Sequence, residues 1–514
     1  MSVSVTGAEA LLRTLAAHGV DTCFMNPGTS EMQFVSALDR VPGVRGVLCL
    51  DEGVAAGAAD GYFRIAGRPA ATLLHLGPGL ANALSNLHNA RKARSGIVNI
   101  VGEHATWHLG YDAPLTADIE AIARPFSSFV ATARTAGDVA PLAAQAIAAA
   151  RAGEVATLII PADASWDSCP PAIPALPGTG TIAAPAARSI PTPTPRTGFL
   201  LSGSALAEPV LQMAARLHYA TRAPIFANRY SPRLPRGRGI FPVQRLAYFP
   251  EPAEAMLASL DVLYTVETHA PVTFFGYPGR PSTLAPPRCR VEPLSLPAFL
   301  DVASGYLPAP TETVEPPPPP PTSDEPLTPE LIGDILAALL PPGVILSDEM
   351  ISSGEAVNAR LARAANHDLL PVTGGSIGQG LPVALGAAIA APERPVLALE
   401  ADGSAMYTLP ALWSFARENA NITTVIFANR RYRILDVEIE RTRSASPGPL
   451  ARRMLDLSSP NLDFVQLALG HGLPASRAHT AAGFAEQLAT ALQTPGPRLI
   501  EAILGDPATF MPQK

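Results

Sequence analysis

Two acids and one amide stand where apolar runs end: Glu52 in LCLDEGVAAGAADGY, Asp402 in ALEADGS and Asn429 in VIFANRRY. Asp402 offers a hard carboxylate oxygen to a hard cation such as Mg²⁺. Gly403 lets backbone approach a phosphate closely, and Ser404 adds a hydroxyl. Asn429 follows Asp402 by 27 residues, after a helical stretch (ALWSFARENA) and an apolar one (TTVIFAN) that would return the chain beside it. An Asn oxygen and a following backbone carbonyl would complete the protein ligands, since Mg²⁺ keeps few of them. Taken alone, DGS also reads as a turn and Asn429 as a strand-end cap. Glu52 alone reads as a helix cap, because helix N-termini favour acids. In an apolar pocket a carboxyl in its place would favour the neutral, proton-holding form.

The elements that must position these residues follow from the apolar periodicity. GVDTCFMNPG, VRGVLCLDEG, PAATLLHLGPG and SGIVNIVGEH each end an apolar run in Gly, Pro, Asn or Glu, with helical stretches such as EGVAAGAADGYFRIAG between them. The last part of the chain repeats the scheme with GVILSDE, PVLALEADGS, ITTVIFANRR and PRLIEAIL. Such alternation predicts βαβ units and parallel sheets buried on both faces. Ligands in these sheets bind at the carboxyl ends of strands. The middle is less regular, with strands predicted in FLLSGSALAEP, APIFANRY and LDVLYTVET. Two proline-rich stretches, 169–195 and 314–326, read as linkers in extended polyproline II. The expected fold is α/β, three doubly wound parallel-sheet domains over 1–168, 190–310 and 325–514. Thr6 and Glu9 predict a capping box that opens a helix, not a signal peptide.

On these motifs the chain resembles the thiamine diphosphate enzymes of the acetolactate synthase, benzoylformate decarboxylase and pyruvate decarboxylase superfamily, over essentially its whole length. Their metal motif is Gly-Asp-Gly followed, one helix and one strand later, by Asn-Asn. The resemblance implies Asp402 and Asn429 as side-chain magnesium ligands and the Arg431 carbonyl as the backbone ligand. It places Gly403 and Ser404 by the diphosphate and Tyr432 at the tyrosine after the motif. Ala401, Ala428 and Arg431 depart from the pattern, and a carbonyl ligand survives any side chain. Arg430, Arg431 and Arg433 are either solvated charge or face the mouth of the site toward an anionic substrate.

PVTGGSIGQGLPVALGAA resembles the segment that sets a bulky aliphatic under the cofactor. It implies Gly375, Ser376 and Ile377 as cofactor contacts, Ile377 wedging the rings into a V; by themselves these residues read equally as core and close packing. For Glu52 the resemblance implies a carboxyl that shares its proton with the aminopyrimidine ring. Asn26, Pro27, Gly28 and Thr29, in MNPGTSE, resemble the Asn-Pro-Gly-Ser loop of benzoylformate decarboxylase, with Thr29 at its substrate-facing serine. In LLHLGPGLAN, His75 matches a catalytic histidine of that enzyme, and Gly77, Pro78, Gly79 and Asn82 match the acetolactate synthase loop. A lone His after a strand also reads as a satisfied turn residue. His104 and His108 are further candidates, and Glu103 stands where those synthases carry Gln.

The implied activity is thiamine diphosphate- and Mg²⁺-dependent attack on a 2-oxo acid, with loss of CO₂ and then protonation or carboligation. DAPLTADIEAIARP resembles acetolactate synthases, yet Pro114 and Leu115 replace Phe-Gln beside the substrate channel. A benzoylformate-type decarboxylase or a 2-hydroxyacyl lyase is therefore the main alternative. A catalytically idle cofactor-binding paralogue would lose Glu52 or the metal ligands, and both are present. A nucleotide-dependent enzyme built on LGPGLAN lacks the Lys and Ser/Thr of a P-loop. The superfamily implies a homodimer or homotetramer whose half-sites meet across a subunit interface. FAD accompanies many acetolactate synthases, but LSGSALAEP has no GxGxxG, and the expectation leans against FAD.

Composition narrows the class further. The net charge of −7 favours neither nucleic acid nor an anionic membrane surface, both of which select basic patches. Cys23, Cys49, Cys169 and Cys289 form no CxxC pair, which suits a reducing compartment. No apolar stretch reaches the ~18 residues of a membrane span. A cytoplasmic enzyme acting on small molecules is expected.

Overall fold

The computed structural model describes residues 4–177, 190–308, 314–442 and 447–505. Its first sheet holds β1 (Thr22–Asn26), β2 (Arg45–Leu48), β3 (Ala70–Leu74), β4 (Ile97–Glu103), β5 (Phe129–Thr132) and β6 (Val155–Pro161). These run in the order β2-β1-β3-β4-β6-β5, all parallel. The middle sheet holds β7 (Thr197–Leu201), β8 (Ile225–Ala227), β10 (Gln244–Arg245), β11 (Val262–Val266) and β12 (Arg290–Pro293), with β9 (Leu234–Arg236) lying between β8 and β10 in sequence. Its order is β10-β8-β7-β11-β12, again parallel. The last sheet holds β13 (Val344–Glu349), β14 (His367–Pro371), β15 (Val396–Ala401), β16 (Ile422–Ala428), β17 (Ala475–Ala478) and β18 (Arg498–Ile503). The α/β class with three parallel-sheet domains is as expected.

One strand crosses the expected boundaries. β9, from the middle block, joins the edge of the last sheet, antiparallel to β14, giving the order β9-β14-β13-β15-β16-β18-β17. Pro235 at its centre donates no hydrogen bond, which an edge strand tolerates. Arg233 fastens the crossing with two bonds to Asp368, at 2.7 and 2.9 Å. The second proline run forms neither helix nor strand over 314–325, as expected, while part of the first lies outside the described residues.

Helix α1 (Gly7–Ala17) opens on the Thr6–Glu9 capping box. α2 (Glu52–Ala66) is capped by the Asp51 side chain, which accepts from the Val54 amide, and ends at Gly67 in the left-handed region. α3 (Leu76–Ala93) follows β3, and α4 (Gly380–Ala390) follows β14. α2 and α4 join the first and last blocks backbone to backbone. A Cβ at Gly61 would lie 2.2 Å from the Val383 carbonyl oxygen, and one at Gly386 would lie 1.9 Å from that of Ala58. A buried polar clamp closes the same seam. Asp60 and Arg64 pair at 2.5 Å, and Gln379 Nε2 reaches Asp60 at 2.7 Å. Arg64 also donates to the Pro371 carbonyl (2.9 Å) and to Thr373 (3.0 Å). Among the described residues no helix is long and apolar enough to cross a membrane, and the four cysteines are buried and free.

Candidate active site

β15 ends at Ala401 and a helical turn, α5 (Asp402–Ala405), begins at once. Asp402 is 3% exposed. Its Oδ1 accepts from the Gly403 amide at 2.9 Å and its Oδ2 from the Arg430 amide at 2.5 Å. The turn after β16 is thus tied directly to Asp402, as the spacing predicts. Arg430 reaches that bond in the left-handed region, at φ 59°. The Asn429 side-chain oxygen accepts from the Arg431 amide at 2.9 Å, and the Arg431 carbonyl accepts from the Arg433 amide at 2.9 Å. Tyr432 closes over the turn: a Cβ at Gly403 would lie 2.5 Å from its ring. Burial pushes the Asp402 carboxyl up to about 6, against the pull of its amide partners. A divalent cation would offset that cost, and an acid, an amide oxygen and a carbonyl are hard donors suited to Mg²⁺. Of the three arginines, Arg431 is neutralised by both oxygens of Asp436, and Arg430 is exposed.

The turn between β14 and α4 carries Gly375, Ser376 and Ile377. Ile377 is half-buried, outside the apolar core. Asn89 clasps Ser376, donating to its carbonyl at 2.8 Å and accepting from its amide at 3.3 Å. Gly375, at φ 81°, leaves room for Phe274, whose ring would be 2.3 Å from a Cβ there. Beneath the turn, Glu349 accepts from the amides of Gly378 (2.7 Å), Gln379 (2.9 Å) and Gly380 (2.5 Å). Burial still pushes this carboxyl up to about 7. Glu400, its register partner on β15, is fully buried with both oxygens unpartnered, and burial beside Glu349 pushes it well above the carboxylate range.

The other half-site forms where β1, β2, β3 and β4 end. Glu52, 7% exposed, is the first residue of α2. Asn82 Nδ2 donates to its Oε2 at 3.0 Å. A Cβ at Gly79 would lie 3.1 Å from Glu52 Oε1 and 3.4 Å from His75 Cβ, so that acid and the base of that histidine both flank Gly79. His75 Nδ1 lies 2.8 Å from Glu31 Oε2, which also accepts from the Gly28 amide at 2.8 Å. Asn26 and Pro27 are half-buried at the end of β1, and Thr29 is exposed. Glu103, last in β4, is buried, which raises its carboxyl above the ordinary range. His104 Nε2 meets the Pro114 carbonyl at 3.1 Å and its ring packs on His108.

Asn86 links the first and last blocks of the chain, donating to the Gly53 carbonyl at 2.9 Å and to the Gly378 carbonyl at 3.1 Å. The start of α2 thereby abuts the Ile377 turn. Among the described residues no hydrogen bond or ion pair joins Glu52 to the Asp402–Asn429 turn.

Comparison with known proteins decides the family. The family described as thiamine pyrophosphate enzyme, N-terminal TPP binding domain, matches residues 5–122, and its C-terminal TPP binding domain matches 354–502. A Mycobacterium tuberculosis protein named "Putative acetolactate synthase large subunit IlvX" is 47% identical over 97% of this chain and 99% of its own length. The chain belongs to the thiamine diphosphate-dependent enzymes. Benzoylformate decarboxylase of Pseudomonas aeruginosa is 30% identical over 96% of this chain and 98% of its own. The fold matches that of a Rhodococcus jostii thiamine diphosphate-dependent 4-hydroxybenzoylformate decarboxylase, with TM-score 0.80 and 24% identity over 98% of this chain and 99% of that one.

For a thiamine diphosphate enzyme the donor set fits at both ends, with hard oxygens at Asp402 and Asn429 and a buried carboxyl at Glu52. Among the described residues no three His, Cys, Asp or Glu side chains cluster as a metal site, and a cation shared with a diphosphate does not need three. Glu31, Glu349, Glu400, Asn86 and Asn89 do not stand out in the sequence. Only Glu31 left a signal, an acid three residues after the glycine that opens a turn. A cleft of about 1920 Å³ also opens at the carboxyl ends of β7, β8 and β11, between the Gly203 turn, Tyr230 and Thr268, and reaches Gly374.

Proposed function

We propose that this chain is a thiamine diphosphate- and Mg²⁺-dependent enzyme that decarboxylates a 2-oxo acid and completes most turnovers by protonation, with carboligation as the slower outcome. The observation that carries this reading is that His75, through its Cβ, and Glu52, through its carboxyl, flank the same glycine, Gly79. The likeness to benzoylformate decarboxylase over nearly the whole chain supports it. Bound cofactor supplies the nucleophilic carbon and the electron sink for loss of CO₂. Asp402, Asn429 and the Arg431 carbonyl would hold Mg²⁺, and Gly403 and Ser404 would face the diphosphate. Glu52, steadied by Asn82, would hold a proton against the pyrimidine ring. Ile377 would fill the space beneath and exclude water. His75 would take up a proton from solvent at Nε2, the nitrogen not turned to Glu31, and hand it on.

In this reading residues 1–168 bind the pyrimidine end and 325–514 the diphosphate end, with the middle block between them. The working unit is a homodimer or homotetramer with half-sites from neighbouring subunits. Large apolar side chains exposed on the single chain, among them Leu50, Trp107, Tyr111 and Tyr407, support an assembly. FAD is not required; if it binds, the middle-block cleft is its place, and flavin absorbance of the purified protein decides the point.

The test is a panel of 2-oxo acids incubated with protein, thiamine diphosphate and Mg²⁺, with CO₂, aldehyde and acyloin measured separately. Aldehyde should dominate. Acyloin as the main product would favour the acetolactate synthase-like reading, which the Gly77–Gly79 and Asn82 loop favours. No CO₂ from any member would remove both.

A further inference from the structure

The pair formed by Glu31 and His75 is built into the fold on both sides. A Cβ at Gly28 would lie 2.2 Å from His75 Nδ1, so glycine is what lets the ring lie against that turn. A Cβ at Gly102 would lie 1.7 Å from Glu31 Oε1, so a second glycine makes room for the carboxylate. Glu31 is 3% exposed, and its Oε1 has no partner. Its Oε2 faces two donors at 2.8 Å each, the Gly28 amide and His75 Nδ1. Burial raises the Glu31 carboxyl, while His75 and the Gly28 amide pull it back toward the anion.

An acid this buried, on a one-turn segment beside an exposed Thr29, does little for the surface. A carboxylate at Nδ1 does one thing well: it fixes which ring nitrogen carries the proton. We propose that Glu31 is the positioning residue for His75, holding the neutral ring with its proton on Nδ1 and leaving Nε2 as the nitrogen free to exchange a proton. The proposal rests on the decarboxylase reading for its catalytic consequence, but the tautomer itself can be measured without cofactor.

Histidine-labelled full-length protein would be examined by long-range ¹H–¹⁵N NMR at a pH where the ring is neutral, with His75→Gln assigning the signal. The expected result is the Nδ1–H tautomer; an Nε2–H tautomer in the unmutated chain overturns the proposal whatever the variants do. In Glu31→Ala the proton should no longer be confined to Nδ1. The variant's kcat should fall about tenfold or more, with KM and the thiamine diphosphate–Mg²⁺ affinity within about twofold. Unchanged tautomer and unchanged kcat in that variant would overturn it too. Absence of turnover with every 2-oxo acid would remove the decarboxylase reading while leaving the tautomer result to decide Glu31.

Discussion

Asn82 Nδ2 donates to Glu52 Oε2 at 3.0 Å, which occupies one carboxyl oxygen and leaves Oε1 over Gly79. The acid is thus oriented by a neighbour on α3 before any cofactor arrives. Glu52→Gln keeps the size and the acceptor for Asn82 and removes the exchangeable proton. It should bind thiamine diphosphate with Mg²⁺ nearly as well as the parent and lose roughly 10²–10⁴-fold in turnover. Fluorescence titration and steady-state kinetics together check this; turnover within twofold of the parent would refute the assignment.

The Asp402 bonds to the Gly403 and Arg430 amides shape the turn whether or not a cation is present. A cation adds a partner that neutral Asn offers less strongly. Asp402→Asn can accept from only one of these two amides, its Nδ2 facing the other as a second donor, and it should weaken Mg²⁺-dependent cofactor binding by about tenfold or more. Calorimetry with Mg²⁺ at fixed thiamine diphosphate reads the effect, and equal affinity would move the metal elsewhere.

Much of this arrangement is legible in the sequence because parallel strands buried on both faces leave unbroken apolar runs. The residue that stops each run is the one the fold delivers to the strand end. Glu52, His75, Asp402 and Asn429 are all found that way. Other features escape for physical reasons. Glu349 and Glu400 close apolar strands as acids, and nothing in the run tells that one is ringed by the amides of 378–380 that lead into α4 while the other has no partner. Asn86 and Asn89 look like a solvated face of α3 until α4 and the Ile377 turn are laid against them. β9 is three residues with a central proline, too short and too weak a signal to announce that it leaves its own block for another sheet.

The Asp60–Arg64 pair sits wholly within the seam between the first and last blocks. Removing one charge leaves the other buried and unmatched, which costs about 3–5 kcal/mol. Arg64→Met should therefore lower the urea midpoint markedly. The double variant Asp60→Leu with Arg64→Met should recover part of the loss, because no lone charge remains. A single variant within about 0.5 kcal/mol of the parent would mean that solvent reaches this seam.

His367 opens β14, 4% exposed, with Nδ1 at 2.8 Å from the Ala365 carbonyl and Nε2 unpartnered. Burial pushes this ring down to about 4 from an ordinary 6.5. The sign follows from which state takes the proton. Between those values the unfolded chain binds a proton that the folded chain refuses, so this group's contribution is complete above about 6.5 and is lost as pH falls toward 4. The loss is at most roughly 1.4 kcal/mol per pH unit. His367→Asn can keep a donor near the Ala365 carbonyl and has nothing to titrate. Its stability difference from the parent, measured by urea unfolding, should shift in the variant's favour between pH 7 and pH 5. Parallel curves for the two proteins would show that the ring is hydrated and that β14 begins outside the core.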